Sequence, residues 1–112
     1  MDPIHSGSLA ALPTRHAYSS EIGQVFQSVG EHSDRSEFVL SEVEIIVSDD
    51  RQENFTLLFR AAIGLRPVQG IYTLENERLG VVELFLVPVK QDEDGVYLEA
   101  VINHFKAGNA EQ

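Results

Sequence analysis

The sequence predicts a mostly β protein: an antiparallel meander forming a small barrel or sandwich, with at most one short helix near the N-terminus. Three observations carry this. Two apolar runs, residues 81–89 and 96–102, flank the acidic turn Gln91-Asp92-Glu93-Asp94-Gly95. A short loop ending in glycine between two such runs signals a β-hairpin. Residues 54–63 alternate cleanly, with Phe55, Leu57, Phe59, Ala61 and Ile63 on one face and Thr56, Leu58 and Arg60 on the other. Six strand-like segments recur at intervals of about ten to fifteen residues, and no βαβ alternation calls for a parallel sheet.

Residues 1–20 are small and polar, broken by Pro3 and Pro13, and read as a flexible N-terminal segment. Residues 9–12 suit a helical turn or an extended strap. Residues 21–105 read as a single β domain, and 106–112 as a frayed tail. Ser20-Glu21-Ile22-Gly23 suits a cap and one helical turn. Residues 24–29 form a short strand, with Val25, Gln27 and Val29 opposed to Phe26 and Ser28. Residues 30–36 are a polar loop.

Residues 37–48, EFVLSEVEIIVS, form a long strand. The β-branched run 43–47 weighs against a helix. Strict period-2 alternation puts Val39, Val43, Ile45 and Val47 on the core face, and Phe38, Leu40 and Ile46 on the other. After a turn at 49–53 comes the strand 54–63, then a loop at 64–69, a short strand at 70–76 and a turn at 76–80. Residues 81–89 are apolar on both faces except at Glu83. Such a strand is central, or is covered on its second face. Pro88 cannot donate to a ladder, so it marks a bulge, an edge or a strand end. The last strand opposes Val96, Leu98, Ala100 and Ile102 to Tyr97, Glu99, Val101 and Asn103. Phe55, Leu57, Phe59, Leu84, Leu86, Leu98 and Ile102 are the expected core.

At 112 residues the chain has the size of one domain. The absence of cysteine removes disulfides, thiol catalysis and thiolate metal sites. No basic stretch followed by an apolar one opens the chain, and no apolar run is long enough to cross a bilayer as a helix. These point to a cytoplasmic location and no membrane partner. Asn54-Phe55-Thr56 matches a glycosylation sequon, a chance match without a secretion signal. Acidic residues number 18 and basic residues 8, a formal net charge of -10. That charge works against nucleic-acid and anionic-membrane binding, which need phosphate neutralisation.

Asp92, Glu93 and Asp94 resemble part of a calcium loop, but Glu99 falls too early to close one, and a solvated hairpin turn is the simpler reading. His5, His16, His32 and His104 lack the i, i+4 spacing of a helical metal pair. There is no Gly-x-Ser-x-Gly elbow, phosphate loop or dinucleotide fingerprint. No catalytic residue, metal ligand or cofactor is therefore assigned. Arg60, Glu83 and Glu99 stand out as charges inside apolar strands. The plainer reading makes them solvent-facing; the functional one makes them a binding cluster, with Arg60 paired to Glu83 or Glu99 across neighbouring strands.

The string Phe55-Thr56-Leu57-Leu58-Phe59-Arg60, then Pro67-Val68-Gln69-Gly70-Ile71-Tyr72-Thr73-Leu74-Glu75, Leu79-Gly80, Glu83-Leu84-Phe85-Leu86-Val87-Pro88-Val89 and Tyr97-Leu98-Glu99-Ala100-Val101-Ile102-Asn103 resembles a small bacterial β-rich domain family of unknown function. Its genes are often found beside tail-collar (microcystin-dependent-type) proteins. The resemblance spans about residues 22–104 and departs over 1–21. It implies no catalytic residues, and a module associated with phage-tail-like or surface-adhesion assemblies.

Three functions follow as expectations. The first is a non-enzymatic binding or assembly module with a protein partner, using an apolar patch or a sheet edge, with homo-oligomers through the edges as a variant. The second is an acidic inhibitor or DNA mimic acting on a nucleic-acid-binding enzyme, although the acids are scattered rather than set in a row. The third is a small hydrolase or metal enzyme.

Overall fold

A computed structural model describes residues 13–29, 36–62 and 68–105, with His104 and Phe105 as backbone only. The expectations for residues 9–12, Ile63 and the tail 106–112 lie outside the described residues, as do most of the loops at 30–36 and 64–69. The elements are α1 (Arg15–Ser19), β1 (Val25–Ser28), β2 (Glu37–Ser48), β3 (Gln52–Ala61), β4 (Gly70–Asn76), β5 (Gly80–Asp92) and β6 (Gly95–Phe105).

The strands form a closed antiparallel barrel in the order β1-β2-β3-β6-β5-β4. The consecutive pairs β1–β2, β2–β3, β4–β5 and β5–β6 supply the local pairings. Two long-range pairings, β3 with β6 and β1 with β4, complete the ring. Closure removes edges that would otherwise expose unpaired backbone groups. The free sheet edges expected of a meander are joined where short β1 pairs with both β2 and β4.

The core fills the barrel. Phe55, Leu57, Phe59 and Ala61 of β3 point inward with Leu84 and Leu86 of β5 and Leu98 of β6, as the alternation predicts. Ile102 is half-buried against the same cluster. Phe26 meets Phe59 edge-on at 5.2 Å, and Phe38 meets Tyr72 at 5.6 Å. Such tilted contacts suit the ring quadrupoles. Pro88 sits at a register shift between Pro88 and Lys90, so the bulge absorbs its missing N–H.

β2 corrects the expected face assignment. Phe38 and Leu40 are the buried residues, and Val39 is only half-buried. The register slips between Leu40 and Glu42. A bulge inserts one unpaired residue and resets the alternation. Val43 therefore packs against the core from the opposite parity. A second shift between Ile45 and Val47 follows, and Ile45, expected on the core face, is exposed, as is Ile46 on the other.

The helix lies one turn earlier than Ser20-Glu21-Ile22-Gly23 suggests. Thr14 is its N-cap, with Oγ1 accepting the Ala17 N–H at 3.1 Å, and Ser20 ends it. A Thr oxygen satisfies an N–H that a helix start otherwise leaves unpaired. Tyr18 of α1 is buried on Phe55, ring centroids 6.1 Å apart, and Arg15 binds Glu53 of β3 at 3.0 Å. The packed fold thus begins upstream of Glu21, inside the stretch read as flexible.

Candidate binding face

The face begins with the parity of β5. Val82, Leu84 and Leu86 fill the core, so Val81, Glu83, Phe85 and Val87 must point outward. Phe85 pairs with Ile71 of β4, Glu83 with Thr73 and Val81 with Glu75. On the other side Val87 pairs with Glu99 of β6. Val101, two residues beyond Glu99, shares its outer face. Ile71 is 73% exposed, Val81 60%, Val101 57% and Phe85 52%. Among the described residues nothing covers the second face of β5. Val81 and Phe85 stand in water, while β5 takes a central place between β4 and β6 in the strand order, one of the two positions expected from its composition. β5 pairs with β4 over residues 80–86 and with β6 over residues 87–92, so the two halves of the strand are hydrogen-bonded to different neighbours.

The charged candidates are spread across the wall. Glu83 and Glu99 flank the Ile71–Phe85 position. Glu99 also lies opposite Leu58 of β3. Arg60 sits elsewhere, opposite Val39 on one side and Tyr97 on the other. β6 separates β3 from β5, so Arg60 and Glu83 are not on neighbouring strands. Among the described residues Arg60 forms no ion pair with either glutamate; the pairs are Arg15–Glu53 at 3.0 Å and Arg78–Glu21 at 3.3 Å.

Arg60 belongs to a group around Tyr97, whose ring lies 4.6 Å from Lys90 Nζ. Desolvation and the carboxylates of Asp92 and Asp94 raise the Tyr97 phenol above its usual range, with Arg60 opposing them. The Asp92 carboxylate accepts the Asp94 N–H at 2.8 Å, closing the hairpin turn. That contact favours the solvated-turn reading of the acidic loop. No group of three or more His, Cys, Asp or Glu suited to a metal occurs among the described residues.

A polar cluster that no sequence motif announces joins the segment after α1 to the β4–β5 turn. Glu21 and Asn76 are both buried. Asn76 Nδ2 donates to Glu21 Oε1 at 3.5 Å and to the Val25 carbonyl at 3.3 Å. Its Oδ1 accepts the N–H groups of Arg78 and Leu79 at 2.9 and 2.8 Å. A solvent-open concavity beside it is lined by Ser20, Glu21, Gln24, Glu77 and Arg78. The buried groups are paired with one another, as buried polar atoms need to be, and the cluster works as a clasp. No helix among the described residues is long and apolar enough to cross a membrane.

No curated protein and no solved structure matches the chain. A family model does match, over residues 13–102, and so takes in α1 as well as the barrel strands. Helix, clasp and exposed sheet face together are thus features of a chain that belongs to the family described as a domain of unknown function, DUF6916.

Proposed function

We propose that this domain is a non-enzymatic binding or assembly module that engages a protein partner through the outer face of β4, β5 and β6. The observation that carries the reading is the exposed cross-strand pair Ile71 and Phe85, with Val81 and Val101 exposed on the same three strands, whose inner residues already fill the core. Contiguous exposed apolar surface rimmed by polar residues marks interaction sites. The setting is a phage-tail-like or surface assembly, supported by the family resemblance over about residues 22–104.

The test is affinity capture of the full chain from cells that express it, with partners identified by mass spectrometry. The wild type should retain a stoichiometric protein partner that Phe85→Ser loses. If the wild type retains none while the purified protein turns over a substrate, the reading falls.

A further inference from the structure

We infer that the open half of the seam between β5 and β6 receives an extended segment of a partner protein. The segment adds as a strand to the free edge of β5, with a Lys or Arg opposite Glu83 and apolar residues on either side of it. This rests on the binding-module reading and adds the partner's conformation and chemistry to it.

The ring is closed in its strand order, but β5 changes neighbour midway. Residues 80–86 pair with β4 and residues 87–92 with β6. Continuing the Val87–Glu99 register would set Leu86 against Ala100 and Phe85 against Val101, yet the ladder ends at Val87. Beyond Glu99, β6 runs on with β3 alone, from Ala100 opposite Leu57 to Phe105 opposite Gln52. Two strands thus face each other across a seam where their backbone groups have no partner among the described residues. An antiparallel strand turns the N–H and C=O of alternate residues to opposite sides, so about half of residues 80–86 offer both groups to the seam. Such a row is a template for a further strand. A helix, whose own backbone groups are already bonded, cannot use it.

The side chains along the seam agree. Val82 is 7% exposed and Leu84 5%, while Leu86 and Leu98, where the ladder is closed, are at 0%. Ile102, on the facing strand, is half-buried. The core is therefore least sealed beside the open half. On the outer side, Val81, Glu83 and Phe85 are exposed on one lip and Val101 on the other. In a strand added to β5, the residue opposite Glu83 points outward, and those two positions away lie opposite Val81 and Phe85. Cross-strand contact favours a cation at the first position and apolar groups at the other two. The residues between them point inward beside Val82 and Leu84, and apolar side chains there complete the seal.

Other occupants fit less well. Self-pairing of two copies about Glu83 sets that carboxylate against its own like, which destabilises a strand pair, on a molecule of net charge -10. Residues 1–12 of this chain hold no Lys or Arg, and the apolar residues of 106–112 are all alanine.

The probe is an end-blocked synthetic peptide of sequence Thr-Val-Val-Lys-Val-Val-Thr. One control replaces its Lys by Glu, and another replaces the two Val residues flanking the central Val-Lys-Val by Ser. Amide exchange and backbone shifts are followed by NMR in the full chain. In the free protein, alternate amides over residues 81–86 should exchange fast. The peptide should shift these residues saturably, slow those amides and give cross-strand Hα contacts to β5. Phe85→Ser should weaken it by about tenfold or more, the worth of one aromatic contact. Glu83→Gln should weaken it severalfold at low salt and flatten its salt dependence.

Slow exchange of every amide over 81–86 in the free protein would mean that the edge is already bonded, and overturns the proposal. Shifts centred elsewhere, no saturable shifts, or a Phe85-dependent dimer in sedimentation overturn it too. Equal binding of the Glu-bearing peptide overturns the charge assignment, and equal binding of the Ser-bearing peptide overturns the apolar one. If the peptide fails while cellular capture still depends on Phe85, only the strand inference falls. Loss of both removes the binding-module reading as well.

Discussion

β3 and β5 each pair with two strands and each have an alternating inner face in the core, but β3 is paired on both sides along its length, whereas β5 pairs with β4 over residues 80–86 and with β6 over 87–92. Their outer faces differ. On β3, Asn54, Thr56, Leu58 and Arg60 are all half-buried. Leu58 lies between Glu42 and Glu99 on the neighbouring strands. On β5, Val81, Glu83 and Phe85 are exposed. The outer wall of β3 is finished by its neighbours; that of β5 is left open. A barrel needs only one apolar face per strand, so the outward apolar side chains of β5 are surplus to the core.

The sharpest way to break this comparison is on the inner side. Phe59→Ala empties a buried aromatic site against Phe26. It should destabilise the domain by about 3–5 kcal/mol in urea unfolding. Wild-type stability in that variant would mean that the inner face of β3 is not the core.

Next in size is the cover that α1 places on Phe55. Burial pushes the Tyr18 phenol up to about 12 from its ordinary 10.0. In the unfolded chain the phenol ionises near its ordinary value. Its contribution is therefore intact below pH 10 and is lost as pH rises through 12, by about 2–3 kcal/mol. Urea midpoints at pH 9 and pH 12 should show this drop in the wild type and a smaller one in Tyr18→Phe. Equal drops would mean that the phenol is not buried on β3.

A smaller effect is expected where the β5–β6 hairpin meets the end of β3. Gly95 has φ 150°, and a Cβ there would run into the Ala61 carbonyl oxygen and press on Arg60 Cγ. Gly95→Ala should cost about 1–3 kcal/mol by thermal unfolding. A neutral result would show that the hairpin can move away from β3.

The smallest stability effect belongs to the outer face of β5. Phe85→Ser should stay within about 0.5 kcal/mol of wild type in the same urea assay. It should nevertheless abolish the partner capture described above. A large destabilisation would mean that Phe85 supports the barrel, and the contrast between β3 and β5 would then disappear.

Much of the barrel is legible in local pattern. The inner faces of β3, β5 and β6 follow from period-2 alternation, because successive side chains must point to opposite sides of a strand. The β5–β6 hairpin is readable from Asp92 to Gly95, and the irregularity at Pro88 from its missing N–H. The reading of β2 failed at Phe38 and Leu40, before the bulge at Ser41: that bulge has no compositional mark, and one unpaired residue gives the residues before it the opposite parity from Val43, which packs on the core as expected. The clasp was invisible because Glu21 and Asn76 lie 55 residues apart.

The candidate face was half legible. Composition alone shows that residues 81–89 carry more apolar side chains than one core face uses, with Glu83 and Glu99 set among such residues. The strand neighbours supply the rest: the outward side chains of β5 are exposed, Ile71 lies opposite Phe85, and Arg60 stands apart with Tyr97. Which strand lies beside which depends on the long-range pairings that close the ring, β3 with β6 and β1 with β4. Those pairings rest on backbone hydrogen bonds that every residue except proline makes alike, whereas side-chain periodicity is a property of each strand alone.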